Sequence, residues 1–474
     1  MDADQFRQAA HAVVEQKSLQ TELPNSAPTH SEPWDAIQAD YQNLVLPRMT
    51  DWSSPGFAAF FPSGTSYPSM LGEFLASSFA GSMFSWICSP AATELEEVVM
   101  DWVAEALDLP TSFYHNKPSS KGGGLIMSSA SESVITAMAA ARDRALEAIR
   151  LKDPTVATCS NWRQKEASNF VVFGSETTHS SVMKAAKVLN LQYVTVPAPY
   201  SNDFRMVREQ LCQELESSIS NGFIPVFVAV TLGTTSTCAF DDLEGIGKLL
   251  DDHPLIWGHV DAAYGGNALL LPEFKYLSPL LRPYASFTVN LNKGMSVTVD
   301  GSCLFIRDKF DLASSFTCYG SYLNPDKTIG GPQSLKIWFV LRSFGLEKLR
   351  ETMRRGFQLG EEFANLLKDQ QDLFEIISGP RLGVVAFRIK APSSNGSSET
   401  LHERSNRLTL QVCQDVNASG QAFLTGCTIG DFYVIRMVTT HVSNSPASIR
   451  SILGLIIQAA SRGENATCCK PSSV

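Results

Sequence analysis

From Phe170 onward the chain alternates short, continuous apolar runs with segments of helical pattern, and few folds accept that alternation. The runs "NFVVFG", "YVTVPA", "IPVFVAVTLG" and "LIWGHVDAA" are rich in valine and isoleucine and carry no in–out alternation. Strands buried on both faces read this way, which points to a mainly parallel sheet. Between them, "HSSVMKAAKVLN" sets Val182, Ala185, Ala186 and Leu189 along one helical side, and "FRMVREQLCQELESSISNG" stops at Asn221-Gly222. Strands alternating with helices predict an α/β core. Two more strand-like stretches, within Ser286 to Asp308, enclose a single lysine, Lys293.

After Gly331 the texture changes. Long helical patterns follow, then "GVVAFRIK", a helix from about Leu401, "FYVIRMVTT" and a last helix near Ser448 to Ala460. This predicts a smaller C-terminal α+β domain. "SSNGSS" reads as an exposed loop and the final "ENATCCKPSSV" as a tail.

With 474 residues, 44% hydrophobic and 18% charged, the chain can bury a substantial core and more than one domain. Its net charge of −10 argues against a nucleic-acid partner, which lysines and arginines would have to hold. The N-terminus lacks a basic region followed by an apolar one, and no stretch approaches the ~20 apolar residues of a membrane span. The ten cysteines form no C-x-x-C pair and read as thiols of a reducing, cytoplasmic setting.

Four features carry chemistry. In "GGGLIMSSASES", Ser129 and Glu132 have the spacing of a capping box, and the first helical turn with Ser131 offers N–H groups and a hydroxyl to a phosphate. His179 lies between a strand and a helix. Asp261 directly follows the apolar run "LIWGHV", where an open parallel sheet binds its ligands, with the small Ala262 and Ala263 beside it. Lys293 again follows a strand end. Each has an ordinary reading alone: an N-cap, a structural histidine, a capping aspartate, a solvated turn lysine. Together they suit pyridoxal phosphate. The helix start takes the phosphate, Asp261 the ring nitrogen, His179 the ring face, and Lys293 condenses with the aldehyde.

The chain resembles the group II pyridoxal-phosphate decarboxylases, whose best-known members are the aromatic L-amino acid decarboxylases. The motifs that carry the likeness span nearly the whole sequence: "SPGFAAFFPSGTSYPSML", "FSWICSPAATELEEVVMDW", "GGGLIMSSASES", "THSSV", "IPVFVAVTLGTTSTCAFDDL", "HVDAAYGGNALLLPEF" and "SLKIWFVLRSFGLEKLR". The resemblance implies fold-type I. By that resemblance, residues 1–65 are expected to form a helical segment packing on a partner subunit, 66–330 a large cofactor-binding domain with a mostly parallel seven-stranded sheet, and 331–474 a small domain. It implies a homodimer with active sites at the interface, acting on an amino acid. It implies Lys293, His179 and Asp261 as catalytic, with Ala130, Ser131, Thr235, Ala263, Asn290 and Asn292 also at the cofactor. Trp52, Phe60, Ser63 and Phe84 match positions lining the substrate pocket.

The sequence departs from that pattern in three places. The usual Asn-Pro-His-Lys is Asn290-Leu291-Asn292-Lys293, with glycine rather than an aromatic residue next. The family's mobile loop carries a tyrosine that protonates the substrate carbanion; here that stretch is missing, and only Tyr319 and Tyr322 are near. The N-terminal segment is short. Decarboxylation of an L-amino acid, aromatic by the character of Trp52, Phe60 and Phe84, is the expected reaction. Oxidative decarboxylation-deamination to an aldehyde, and a non-catalytic dimer, are the alternatives.

Overall fold

The computed structural model describes residues 19–79, 81, 86–316, 333–392 and 399–468. The chain divides into two compact units. One comprises 61–358 with 378–384; the other comprises the described residues up to Phe60, then 359–377, and those from Val385 on. The change at Gln358–Leu359 falls inside a single long helical stretch, Ser334–Lys368. That stretch bends at Gly345, whose φ of 65° is left-handed territory that glycine enters without a Cβ penalty.

The larger unit is built on seven strands: β1 (Gly123–Met127), β2 (Phe170–Ser175), β3 (Gln192–Val196), β4 (Ile224–Thr231), β5 (Trp257–Asp261), β6 (Ser286–Asn290) and β7 (Ser302–Ile306). Their order in the sheet is β1-β7-β6-β5-β4-β2-β3, and β7 alone runs against its neighbours. The expected α/β architecture with a mostly parallel seven-stranded sheet is present. β2, β5 and β7 are buried along their whole length, because helices cover both faces, and the edge strand β3 is not.

The two faces bury different residue sets. Val171, Phe173, Val228, Val230, Val260, Phe287 and Val289 pack with the helices at Pro90–Ala106, Arg208–Ser220 and Leu243–Asp252. Phe170, Val172, Phe227, Ala229, Trp257, Leu304 and Ile306 pack under the helices at Ala130–Lys152 and Ser181–Val188. A strand's period of two sends consecutive residues to opposite layers, so every second residue of β5 meets the Ala130–Lys152 side.

A second sheet has four strands in the order β10-β11-β9-β8: β8 (Phe374–Arg381), β9 (Val384–Ile389), β10 (Thr425–Ile429) and β11 (Phe432–Val438), all in the smaller unit except residues 378–384. Helices at Leu401–Ala418 and Pro446–Cys468 accompany it. The sequence pattern points only to β9 and β11. β8 contains Gly379-Pro380 and β10 reads "TGCTI", so neither displays a clean strand signature. Among the described residues, no helix is long and apolar enough to cross a membrane.

Candidate active site

Five parallel strands deliver residues to one edge of the large sheet, the edge where open α/β sheets bind ligands. β1 runs through Ser128 and Ser129 into the helix beginning at Ala130. β2 leads to His179, β4 to Thr234 and Thr235, β5 ends on Asp261, and β6 passes into a tight turn, Leu291–Lys293. All the cofactor candidates read from the sequence therefore lie past the carboxyl ends of neighbouring strands.

Asp261 is buried, and its Oδ1 accepts the backbone N–H of Ala263 at 3.1 Å. Its carboxylate has no other hydrogen bond among the described residues. Lys293 is half-buried; its Nζ sits 5.3 Å from the ring centre of Phe61, which stacks on Tyr264 at 3.8 Å. His179 is fixed by its Nδ1, 2.8 Å from Ser181 Oγ, at the start of the following helix. Burial lowers the His179 pKa; the Asp261 carboxylate pushes it up, while Lys293 and Lys184 push it down. The two charges that the sequence assigned to opposite ends of one ligand thus both act on the histidine assigned to its face.

The helix start was expected to carry a reciprocal capping box, and only half of it forms. Ser129 Oγ accepts the Glu132 N–H at 3.2 Å, but the Glu132 carboxylate turns to the Ser128 N–H at 2.9 Å and the Ser128 hydroxyl. Reaching past the N-cap takes it away from the first turn, where Ala130 and Ser131 stand half-buried. Around Lys293 the backbone is tied from several directions. Asn290 N–H donates to Ala263 O at 3.0 Å, Asn292 N–H to Asn290 Oδ1 at 3.3 Å, and Gly64 N–H to Asn292 O at 2.6 Å.

Two further residues hold this edge and were not singled out by sequence. Asn267 donates from Nδ2 to Tyr264 O and Asn290 O, each at 3.0 Å, and to Ala263 O at 3.4 Å. It links the segment after Asp261 to the turn of Lys293, where the backbone of β5 has already turned away. Asp241 is buried; its two oxygens accept the N–H groups of Met206 at 2.8 Å and Thr231 at 2.7 Å, pinning the end of β4. Burial pushes its pKa up to about 7. The available signal for Asp241 was a carboxylate entering an apolar run, "TCAFDD"; Asn267 gave none.

Of the substrate-pocket candidates, Ser63 is half-buried within the larger unit. Trp52 and Phe60 belong to the smaller unit, where they stack on each other at 5.5 Å with Phe57 and Phe423 alongside. Phe60 has a φ of 52°, and its N–H donates to Thr425 Oγ1 at 2.9 Å. Phe84, Tyr319, Tyr322 and the shortened loop lie outside the described residues.

The residues present fit pyridoxal phosphate. A buried carboxylate is costly unless a cation or donor meets it, and Asp261 has only its one backbone donor. Thr231 and Thr288 flank it in the sheet register with buried hydroxyls that lack partners among the described residues, as does Asn292 Oδ1 near Lys293. A protonated pyridine nitrogen would supply the missing positive group, and the helix start at Ala130 suits a phosphate.

Comparison with known proteins agrees. Residues 17–390 match the family described as the pyridoxal-dependent decarboxylase conserved domain. The chain is 35% identical to histidine decarboxylase of Homo sapiens over 436 residues, covering 89% of this chain and 62% of that protein. The chain thus spans less than two thirds of that relative's length. It is 32% identical to the aromatic-L-amino-acid decarboxylase of Rattus norvegicus over 468 residues, 94% of this chain and 93% of that one. The structure of Catharanthus roseus tryptophan decarboxylase in complex with L-tryptophan superposes with a TM-score of 0.83 at 29% identity, covering 98% of this chain and 99% of that chain.

Proposed function

The chain belongs to the pyridoxal-dependent decarboxylase family, and from that premise we propose that it releases the carboxylate of an L-amino acid as CO2 and yields the amine. Support comes above all from the placement of His179, Asp261 and Lys293 at the carboxyl ends of β2, β5 and β6, on one edge of the sheet. When bound, pyridoxal phosphate supplies a ring that accepts the electrons of the breaking carbon–carbon bond. Lys293 would provide the amine that holds the cofactor covalently. Asp261 would keep the pyridine nitrogen protonated, and His179 would cover one ring face. Ala130, Ser131, Asn290 and Asn292 would hold the phosphate, and Thr235 and Ala263 would lie against the ring.

An aromatic side chain is the proposed substrate preference. Two relatives act on such amino acids by name, and the exposed stack of Trp52 on Phe60 is a surface suited to a flat group. The protein works as a homodimer in the cytoplasm, with residues 1–65 packing on the partner. Exposed apolar faces support the association: Trp34, Ile37 and Tyr41 in one unit, Tyr67, Met70, Leu71 and Phe74 in the other.

The test is a product assay. Purified protein, loaded with pyridoxal phosphate, is offered tryptophan, tyrosine, phenylalanine and histidine in turn, with CO2, amine, aldehyde and peroxide scored together. Amine and CO2 in equal yield are expected from an aromatic substrate. Aldehyde and peroxide without amine would reject simple decarboxylation. Lys293→Ala is expected to lose both turnover and the visible absorbance of bound cofactor; persistence of that absorbance would reject Lys293 as the anchor.

A further inference from the structure

We propose that His259 is a positioning residue for Asp261, the last link of a buried donor chain that runs Trp257, Ser286, His259 beneath the cofactor edge. The inference rests on the reading of Asp261 as the partner of the pyridine nitrogen.

Alternation along β5 puts Trp257, His259 and Asp261 on one face of the strand. The register sets His259 beside Ala229 and Ser286, and Asp261 beside Thr231 and Thr288. The surroundings on this face are otherwise apolar: Phe227, Trp257, Leu304 and Ile306 pack there with helix residues Ala137, Met138 and Ala141. A histidine placed among them costs free energy unless its nitrogens are used.

One of those nitrogens is used in a way that fixes the other. Trp257 Nε1 donates to Ser286 Oγ at 2.7 Å, and His259 Nδ1 lies 2.7 Å from the same oxygen. Indole is a donor only, so the one proton of the serine hydroxyl has a single acceptor in reach, His259 Nδ1. The proton of the neutral imidazole then sits on Nε2; this assignment follows from the network. Burial drives the His259 pKa down to about 4 against the pull of the Asp261 charge, so the ring is neutral at pH 7.

Nε2 is buried and has no hydrogen-bond partner among the described residues. The same holds for Thr231 Oγ1 and Thr288 Oγ1, the two hydroxyls flanking Asp261 in its own row. One N–H donor, two hydroxyls that can accept and pass on a hydrogen bond, and one carboxylate thus share a single face. None of these three atoms bonds another or the carboxylate in this structure; with the cofactor's ring nitrogen in place, the His259 N–H acts through a threonine hydroxyl to hold the carboxylate ionised and oriented toward that nitrogen.

Titration of apoprotein with two cofactors separates this from a packing role: pyridoxal phosphate, and its 1-deaza analogue, which has no ring nitrogen. His259→Phe keeps an aromatic ring on Phe227, which His259 now stacks on at 5.7 Å. It is expected to weaken pyridoxal phosphate about tenfold or more, the loss of one hydrogen bond to a charged group, and to leave the deaza analogue unchanged. Thr288→Val, nearly isosteric, provides a second variant with the same expected signature, and His259→Gln, which retains a side-chain N–H, recovers part of the loss. Equal weakening of both cofactors, or of neither, in both His259→Phe and Thr288→Val would overturn the proposal. Failure of the unmutated protein to take up pyridoxal phosphate would instead remove the reading of the site, and the proposal with it.

Discussion

Replacing Asn267 by aspartate keeps the side chain's shape and removes its donors. In the native protein Nδ2 serves Tyr264 O and Asn290 O at 3.0 Å, with a weaker contact to Ala263 O at 3.4 Å. Losing two neutral hydrogen bonds costs about 2 kcal/mol, the figure expected for Asn267→Ala. The aspartate fares worse. Three carbonyl oxygens face it, so the buried group holds a proton and makes one of the two bonds, a loss of about 1 kcal/mol. Keeping that proton at pH 7 on a group whose free pKa is near 4 costs about 4 kcal/mol more, about 5 kcal/mol in all. At pH 5 the second term falls to about 1.5 kcal/mol. The sign follows from linkage: a folded-state pKa raised above the unfolded one gives stability that is present at low pH and lost as pH rises. Denaturant melts of apoprotein at pH 5 and pH 7 read this directly. Asn267→Asp should be the weaker of the two variants at pH 7, with most of its excess deficit recovered at pH 5. Asn267→Asp as stable as the native protein at pH 7, or Asn267→Ala the weaker there, would refute the donor argument.

Asp241→Asn puts an NH2 group against one of the two backbone N–H donors that the carboxylate now accepts, and should cost about 2 kcal/mol. It should also flatten the pH dependence of stability, because the Asp241 pKa, raised to about 7 by burial, makes its contribution present below about pH 4 and lost as pH rises through 7; an unchanged pH profile would contradict this. Gly64→Ala would set a methyl 2.7 Å from Val297 O and 2.9 Å from Asn292 O, both backbone atoms. The turn carrying Lys293 must then move, so a fall in cofactor affinity is expected alongside a loss of about 1–3 kcal/mol, and native affinity in that variant would argue that the turn is not held there.

The strands from β2 to β7 were legible because continuous valine and isoleucine runs have few alternatives at that length. The same physics made Asp261 and Lys293 stand out: a charge at the end of a buried strand needs a reason. β8 and β10 were not legible, since Gly379-Pro380 and the short "TGCTI" are strand only by virtue of their neighbours. Asn267 and Asp241 escaped for a related cause. Each acts on backbone atoms that sequence separates and the sheet brings together, and a residue that serves carbonyls or amides has no motif of its own. His259 stands within "LIWGHVDAA" as one more strand residue, and its bond to Ser286 becomes visible only once β5 and β6 are in register.

That division also explains how the turn at Lys293 tolerates an unusual sequence. Where the family's pattern has a histidine, this chain has Asn292, whose Oδ1 is buried without a partner among the described residues. The turn does not depend on that side chain. Leu291 N–H donates to Gly301 O at 2.9 Å, Met295 N–H to Leu291 O at 2.7 Å, Gly64 N–H to Asn292 O at 2.6 Å and Asn290 N–H to Ala263 O at 3.0 Å. Each is a backbone-to-backbone bond that survives any change at position 292. Gly294 belongs to the same arrangement: a Cβ there would lie 2.6 Å from the Asn267 side chain. The room that a side chain at position 294 would need is here taken by the asparagine that braces the turn. Substituting an aromatic residue at 294 alone, to restore the family's pattern, should therefore disrupt the site rather than repair it.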